Sequence, residues 1–152
     1  MARAVSGFYK TAWARVSKVG LFSGDAMKLG YTILYVDDVR QTADFYARAF
    51  GVQAKFVDEA GDFAEMDTGS TSLAFCANTL LRKMGKSPVR PQADAPCFEI
   101  AFVTEDVSGA LQRALDAGCR LMQAPETMSW GQTVAYVADA NGFLVELCSP
   151  MS

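Results

Sequence analysis

An internal repeat limits the fold of this chain more than any other feature of its sequence. Residues 145–148 (Val-Glu-Leu-Cys) match residues 73–76 (Leu-Ala-Phe-Cys), and residues 31–39 resemble residues 99–107. Each of the latter two segments leads into a helical run that ends in glycine, at Gly51 or Gly118. A self-similar pattern of this length indicates one supersecondary unit used twice. The order of elements predicts an α+β protein built from two β-α-β-β-β modules.

The most sharply defined local pattern is a hairpin between Trp130 and Cys148. Residues 133–137 are mostly β-branched or aromatic, and residues 139–142 (Asp-Ala-Asn-Gly) contain the Asn-Gly pair that favours a tight hairpin turn. The second strand, residues 143–148, holds Glu146 among apolar side chains. Because an unpaired buried carboxylate is costly, we expect Glu146 to have a partner or to face a cavity.

The remaining elements follow from periodicity and from turn residues. We expect two helices, from an N-cap at Asp37 or Asp38 to Phe50 and from an N-cap at Asp106 to Gly118. The predicted modules cover residues 28–77 and 97–150, and a polar, proline-containing linker covers residues 78–96. The other predicted strands are 28–36, 53–58, 63–67, 70–77, 97–104 and 120–123, and residues 125–129 are predicted to be a loop.

Residues 1–26 precede the repeat and carry a different pattern. Their apolar residues are spaced by three and four, and their charged residues before Asp25 are all basic, which predicts an amphipathic helix. Three interpretations stay open: a translated upstream segment with Met27 as the original start, a helix docked on its own domain or across a dimer, and a helix for a membrane surface or for targeting. The expected division is therefore an N-terminal helical extension, 1–26, and one domain, 27–152.

Composition narrows the classes of function. A net charge of −3 and a pI near 4.9 argue against nucleic acid as a partner. No apolar run is long enough to span a bilayer, so we expect no membrane partner. The four cysteines show no C-x-x-C spacing, and we interpret them as reduced thiols in a cytoplasmic protein.

From about Lys28 onward the chain resembles the vicinal oxygen chelate superfamily, which includes glyoxalase I, bleomycin-resistance proteins and extradiol dioxygenases. The resemblance implies that each module curls its mixed sheet into a cup, with the helix on the convex side and a metal or ligand on the concave side. It also implies a homodimer, since relatives often complete their cups across a two-fold interface. The residues that carry it are 36–39 (Val-Asp-Asp-Val), Phe45-Tyr46, Phe50-Gly51, Glu105-Asp106-Val107, Ala117-Gly118 and the hairpin 130–148.

In metal-dependent members of that superfamily the ligands come from the first and last strands of each module. The matching positions here are Tyr31, Ala74, Glu99 and Glu146. The chain has no histidine, the usual nitrogen ligand of zinc, nickel and catalytic iron. Two carboxylates, a phenol and an alanine suit those metals poorly, so we expect no metal site and no cofactor. A hard divalent cation could bind only weakly.

The function predicted from these residues is the binding of a small molecule. Carboxylates beside aromatic rings favour a basic or hydrogen-bond-donating organic ligand, as in the bleomycin-resistance branch, which the chain resembles. A lyase or isomerase that uses Glu99 and Glu146 as acid–base groups, or as weak divalent metal ligands, stays open. A purely structural role, in which both acids are paired within the fold, also stays open. The predicted ligand-binding residues are Tyr31, Tyr35, Glu99, Trp130, Gln132 and Glu146.

Overall fold

The structure, a computed structural model, describes residue 27 and residues 29–151. The predicted N-terminal helix, residues 1–26, lies outside the described residues. Two modules follow one another, and each contains a strand, a helix and three further strands. The first consists of β1 (Tyr31–Val36), α1 (Val39–Phe50), β2 (Ala54–Val57), β3 (Phe63–Met66) and β4 (Ser72–Ala77). After the short helix α2 (Asn78–Lys83), the second consists of β5 (Ile100–Val103), α3 (Val107–Asp116), β6 (Arg120–Thr127), β7 (Thr133–Ala138) and β8 (Leu144–Cys148).

Each module forms one four-stranded mixed sheet, in the order β1-β4-β3-β2 or β5-β8-β7-β6. The first strand pairs in parallel with the last, and the other pairs are antiparallel. The α+β class and the two β-α-β-β-β modules are therefore confirmed. The sheets are open, and no strand of one sheet pairs with the other within the described chain. Within the described chain, strand pairing therefore does not join the two sheets into a closed cup.

The hydrophobic core is shared by both modules. It contains alternate residues of both sheets, such as Leu34, Phe75 and Leu147, together with the apolar faces of α1 and α3. The Tyr46 ring of α1 lies 4.8 Å from the Phe75 ring of β4 and 6.5 Å from the Phe102 ring of β5. Both helices thus cover the core side of the sheets, as predicted. The alternate side chains of each sheet point away from this core, and they form what we call its open face.

The caps explain where the two long helices begin. The Asp38 carboxylate accepts a hydrogen bond from the Gln41 backbone N–H at 2.9 Å, and the Asp106 carboxylate accepts one from the Gly109 N–H at 2.8 Å. Each bond satisfies an N–H that has no partner inside the helix. Gly51 ends α1 in the left-handed conformation, with φ of 73°. Among the described residues, no helix combines the length and apolar character needed to cross a bilayer.

Two segments differ from the predicted elements. The linker contains the helix α2, which the buried Leu81 anchors to the fold. Strand β6 continues to Thr127 through the predicted loop that begins at Pro125. A proline is tolerated there because β6 is an edge strand whose pairing with β7 shifts register between Gln123 and Glu126.

The turn between β7 and β8 joins the second module to the first. The Tyr46 hydroxyl of α1 donates to the Asp139 carboxylate at 2.8 Å, and both residues are buried. The other Asp139 oxygen accepts from the backbone N–H groups of residues 141, 142 and 143. Next to it, the Asn141 amide donates to the Thr42 hydroxyl at 3.1 Å. This group of contacts, the Asp139 clasp, fixes the Glu146-bearing hairpin against α1.

Candidate functional site on the open face of the second sheet

Glu146 lies on the open face of the second sheet because side chains alternate along β8. Its neighbours in sequence, Val145 and Leu147, are buried in the core. The register places Tyr136 of β7 on one side of Glu146 and Ala101 of β5 on the other. The repeat predicted this position from the match between Glu146 and Ala74, and Ala74 does occupy the corresponding site beside Ile33 in the first sheet.

Glu99 reaches Glu146 from the residue just before the edge strand β5. Partial burial raises the Glu99 pKa above its usual value, and a hydrogen bond to Glu146 together with the Glu146 charge raises it further. The structure therefore brings these two acids close to each other on the open face of the second sheet.

Two more weak acids lie close to Glu146. Burial, followed by the charges of Glu146 and Glu99 and a hydrogen bond to Glu146, raises the Tyr136 pKa to about 12. Burial and the charge of the same carboxylate raise the pKa of the Cys148 thiol, and the thiol donates to the Phe102 carbonyl oxygen at 3.8 Å. Glu146 thus lies close to a second carboxyl group, a phenol and a thiol. We call these four residues, Glu99, Tyr136, Glu146 and Cys148, the acid cluster.

The acid cluster has no basic partner within the described chain. The two salt bridges among described residues are Lys55–Glu65 and Arg120–Asp94, and neither includes a member of the cluster. Two carboxylates this close repel each other when no positive charge lies between them. The cluster therefore favours a ligand that brings a positive charge or a hydrogen-bond donor.

The open face of the first sheet carries a different set of polar residues, Lys55, Glu65 and Ser72. Glu65 of β3 accepts from Lys55 at 3.0 Å and from the Ser72 hydroxyl at 2.8 Å. Burial and the Glu65 charge raise the Tyr31 pKa, while Lys55 lowers it. The acid of this face is thus already neutralised by a lysine. Tyr31 lies beside Glu65 and Lys55.

The other predicted ligand-binding residues occupy two further places. Tyr35 shares the open face of the first sheet with Tyr31, and 39% of its surface is exposed. The Trp130 indole N–H donates to Gln132 at 3.1 Å, and the Gln132 amide donates to the Ser149 carbonyl at 2.8 Å. This pair lies in the β6–β7 turn, where the hairpin ends. The structure therefore brings Glu99 and Glu146 together and places Tyr31 with Tyr35 and Trp130 with Gln132 elsewhere.

The residues at the superfamily's metal positions do not fit a transition metal. Only Glu99 and Glu146 come together, and two carboxylates without a histidine suit such a metal poorly. Ala74 offers no ligand atom, and Tyr31 belongs to the other sheet. In the described part of the chain, no group of three or more aspartates, glutamates or cysteines is arranged to hold an ion.

Two surface depressions of the described chain lie away from the acid cluster. One is lined by the end of α1 and by α3, including Arg48 and Arg113, and the other by Asp38, Arg90 and Asn141 near the Asp139 clasp. Neither includes Glu99 or Glu146. The acid cluster is therefore a patch on an open sheet face, and it becomes a pocket only if something covers it.

Strand parity predicts that Cys148 shares a face with Glu146, and Tyr136 is one of the aromatic residues predicted beside the acids, but neither was among the predicted ligand-binding residues. The hairpin register of the structure places Tyr136 opposite Glu146. The sequence analysis missed Lys55, Glu65 and Ser72 as the polar group of the first sheet. The salt bridge of Lys55 crosses a β-bulge between β2 and β3, which has no clear signal in the sequence.

The fold and the paired modules define the general class of protein, and comparison with known proteins specifies it. The family model described as the Glyoxalase/Bleomycin resistance protein/Dioxygenase superfamily matches residues 28–147. The chain belongs to this superfamily, and the resemblance drawn from the repeat is confirmed.

Individual relatives are distant in sequence. The uncharacterized protein YraH of Bacillus subtilis (strain 168) is 23% identical over 124 residues, which cover 80% of this chain and 97% of YraH. A glyoxalase-related enzyme from Fulvimarina pelagi is similar with a TM-score of 0.71 and 19% identity, covering 82% of this chain and 89% of its own. A family enzyme from Burkholderia phytofirmans PsJN has a TM-score of 0.67 and 21% identity, covering 81% and 98%. At these identities the solved structures show the fold alone.

Proposed function

We propose that this protein binds a small basic organic compound at the acid cluster, without a transition metal. The observation that carries the proposal is Glu146, which lies beside Glu99, Tyr136 and Cys148 and has no basic partner among the described residues. A hydrogen-bonded carboxylate on an exposed sheet face has a free side for a ligand. An amine or guanidine would supply the missing charge.

The surroundings of the cluster suit an organic cation better than a bare ion. Tyr136 adds an aromatic ring, and Ala101 and Val103 of the adjacent edge strand are exposed on the same face. Apolar and aromatic surface beside a carboxylate favours a ligand that carries hydrocarbon next to its charge. Sequestration of such a compound is a role compatible with the superfamily, and it requires no reaction.

A second function has one specific observation in its favour. The proximity of Glu99 and Glu146 suits general acid–base chemistry, because the raised Glu99 pKa makes that group a proton donor closer to neutral pH. A lyase or isomerase with Glu146 as base and Glu99 as acid is therefore the alternative. The weak binding of a divalent cation by the same pair belongs to this alternative.

A thermal-shift screen of basic aromatic compounds, including bleomycin, tests the proposal on wild type and on the Glu99→Gln/Glu146→Gln variant. A compound present at 100 times its dissociation constant should stabilise the wild type by about 2.7 kcal/mol and leave the double variant unchanged. The control Asp44→Asn/Glu59→Gln removes two exposed acids of the first module and should behave as wild type. Equal stabilisation of all three proteins, or of none, would count against the acid cluster as the site.

Compounds that stabilise the wild type in this screen also distinguish binding from catalysis. If the protein only sequesters the compound, the compound should be recovered unaltered after long incubation with the protein. If an enzyme is present, the compound should be converted, and Glu146→Gln should stop conversion while binding persists. Recovery of unaltered ligand supports sequestration, and Glu146-dependent conversion supports the alternative.

Assembly and location complete the proposal. We propose a homodimer, because the first open face is uncovered in the described chain and exposes Ile33 and Tyr35 to a second copy. A cytoplasmic location stays a prediction, supported by four cysteines that are all unpaired in the structure.

A further inference from the structure

A row of four side chains crosses the open face of the second sheet. In the strand register Glu146 of β8 lies between Ala101 of β5 and Tyr136 of β7, and Gln123 of β6 lies opposite Tyr136. Paired residues on neighbouring strands share one face of the sheet, so these four side chains lie on the same side. Because neighbouring strands lie about 4.8 Å apart, roughly 10 Å of sheet separates the backbone of Gln123 from that of Glu146. The row therefore continues the acid cluster across Tyr136 to the edge strand β6.

A β-bulge in β6 places Glu126 on this face next to Gln123. Residues three apart in a regular strand point to opposite faces. Here the register shifts between the two residues, so that Glu126 lies opposite Val134, which shares the open face with Tyr136. The Gln123 amide donates to the Glu126 carboxylate at 3.1 Å. Bulges often redirect a side chain beside a functional site, and this one creates a second polar position, which we call the Gln123–Glu126 pair.

The Gln123–Glu126 pair lacks a positive charge. Glu126 is exposed, and neither of the salt bridges among the described residues includes it. Arg120 is the only base in the four strands of this sheet, all of which the structure describes, and it is already bonded to Asp94 at 3.1 Å. Glu126 accepts from an uncharged amide, so a cationic donor would form a stronger, charge-assisted bond with it. The pair thus has the same requirement as the acid cluster, on the other side of Tyr136.

The surface between these two polar positions suits an aromatic or hydrocarbon spacer, because Tyr136 is the residue between Glu146 and Gln123 in the row. On the opposite side of Glu146 the row ends in Ala101, and Val103, the other exposed residue of β5, is also apolar. No side chain of β5 can therefore hold a second cation. A ligand with two positive charges has to extend from Glu146 over Tyr136 toward β6.

We infer that the acid cluster takes an elongated dibasic compound, whose two cationic groups are separated by an aromatic or hydrocarbon spacer of about 10 Å. One cation contacts Glu99 and Glu146, the spacer lies on Tyr136, and the second cation contacts Glu126 beside Gln123. This inference rests on the proposed function, because it names the class of compound that the same site binds. It also assigns a role to the β6 bulge, which sets the length of the ligand. A monobasic compound leaves Glu126 without a cation, and a short dibasic compound does not reach it.

Isothermal titration calorimetry with two matched pairs of amines tests the inference. The long pair is a biphenyl that carries an aminomethyl group at each end and a biphenyl that carries only one. The short pair is para-xylylenediamine and para-methylbenzylamine. Two identical ends give every dibasic compound a small statistical advantage. Beyond it, the long dibasic compound should bind the wild type about fivefold more tightly than its monobasic match, whereas the short dibasic compound should gain nothing.

Substitution of Glu126 identifies the group that recognises the second cation. In Glu126→Gln the ratio of the two dissociation constants of the long pair should fall to the statistical value. The control Glu59→Gln, which removes an exposed acid of the first module and changes the net charge equally, should keep the wild-type ratio. The same ratio in Glu126→Gln and wild type, or an equal gain for the short dibasic compound, would overturn the inference.

The monobasic biphenyl separates this inference from the proposed function. If it binds the wild type and Glu99→Gln/Glu146→Gln abolishes its binding, the proposed function is supported whatever the ratios are. Equal affinity of the wild type for both biphenyls would then refute the dibasic ligand alone. Absence of binding by all four amines would refute both.

Discussion

Individual residues of the Asp139 clasp explain how the site is held in place. Asp139 is buried, and all of its close contacts are donors: the Tyr46 hydroxyl and three backbone N–H groups. Tyr46 is fully buried and packs against Phe50 and Phe75. A buried carboxylate needs such donors because it has lost its contact with water. One side chain of the second module thus depends on one hydroxyl of the first.

Removing that hydroxyl should destabilise the protein. In Tyr46→Phe the buried carboxylate loses a hydrogen bond of the charge-assisted kind, so the free energy of unfolding should fall by about 1.5–3 kcal/mol. Urea denaturation measures this change. Tyr35→Phe, which alters an exposed tyrosine of the first sheet, should shift stability by less than about 0.5 kcal/mol. Equal stability of the two variants would show that the clasp contributes nothing.

The pH dependence of the clasp has a defined sign. Burial raises the Asp139 pKa, although its hydrogen bonds to Tyr46 and to the backbone oppose the shift. The folded protein then holds the proton more tightly than the unfolded chain. This stabilisation is complete below the ordinary pKa and is lost as the pH rises through the raised pKa. Asp139→Asn should remove it, so urea titrations should show the wild type losing stability relative to Asp139→Asn over that interval.

At the scale of elements, the β7–β8 hairpin is the part of the chain most tightly constrained at its turn. Gly142 has φ of 99°, and a Cβ placed there would lie 2.6 Å from the Pro91 carbonyl oxygen. Both the backbone conformation and the space therefore require glycine. The Pro91 carbonyl of the linker packs against this turn. The linker therefore helps to fix the hairpin that carries Tyr136 and Glu146.

Alanine substitutions at two glycines separate the cost of the left-handed backbone conformation from the cost of the steric collision. Gly118→Ala, at φ of 106° with no atom within 4 Å of the added Cβ, should cost only the left-handed conformation, about 1–2 kcal/mol. Gly142→Ala carries the same cost and a backbone collision, so it should cost about 1–3 kcal/mol more. Thermal or urea unfolding of both variants gives the difference. A smaller loss for Gly142→Ala would mean that the linker does not press on the turn.

At the scale of the whole molecule, one shared core leaves two open faces that point away from it. The second face carries the acid cluster, and the first exposes Ile33 (41%) and Tyr35 (39%) beside the neutral Lys55–Glu65 pair. A face that is apolar and electrically balanced suits association between identical copies. The two faces therefore differ in what they are expected to bind.

Sedimentation or light scattering should find two copies per particle. Ile33→Asp places a charge on the first open face and should shift the protein to monomers at micromolar concentration, since an unpaired charge is costly in an interface. Val89→Asp changes a residue that is 84% exposed in the linker and should leave the dimer intact. A monomeric wild type, or dissociation of both variants alike, would contradict the expected dimer.

Local sequence patterns predicted much of the fold. The match of 73–76 with 145–148 placed Ala74 and Glu146 at corresponding sites, and hydrophobic alternation placed Glu146 on the open face. Asp38, Gly51 and Asp106 act at helix ends as predicted, because capping depends on a few neighbouring backbone groups. The helix α2 and the extension of β6 were missed, since tertiary packing and edge position outweighed local preference.

The sequence by itself determined the class of the fold and the number of modules, because periodicity, caps and repeats are properties of the chain alone, and the resemblance to the superfamily implied the pair Glu99–Glu146. The tertiary structure decided which of the predicted aromatic residues lie beside that pair. Tyr136 joins it through the hairpin register, while Tyr31 and Tyr35 lie on the other sheet. The Asp139 clasp joins residues 93 positions apart. Such contacts depend on how the modules pack around one core, and no local pattern encodes that packing.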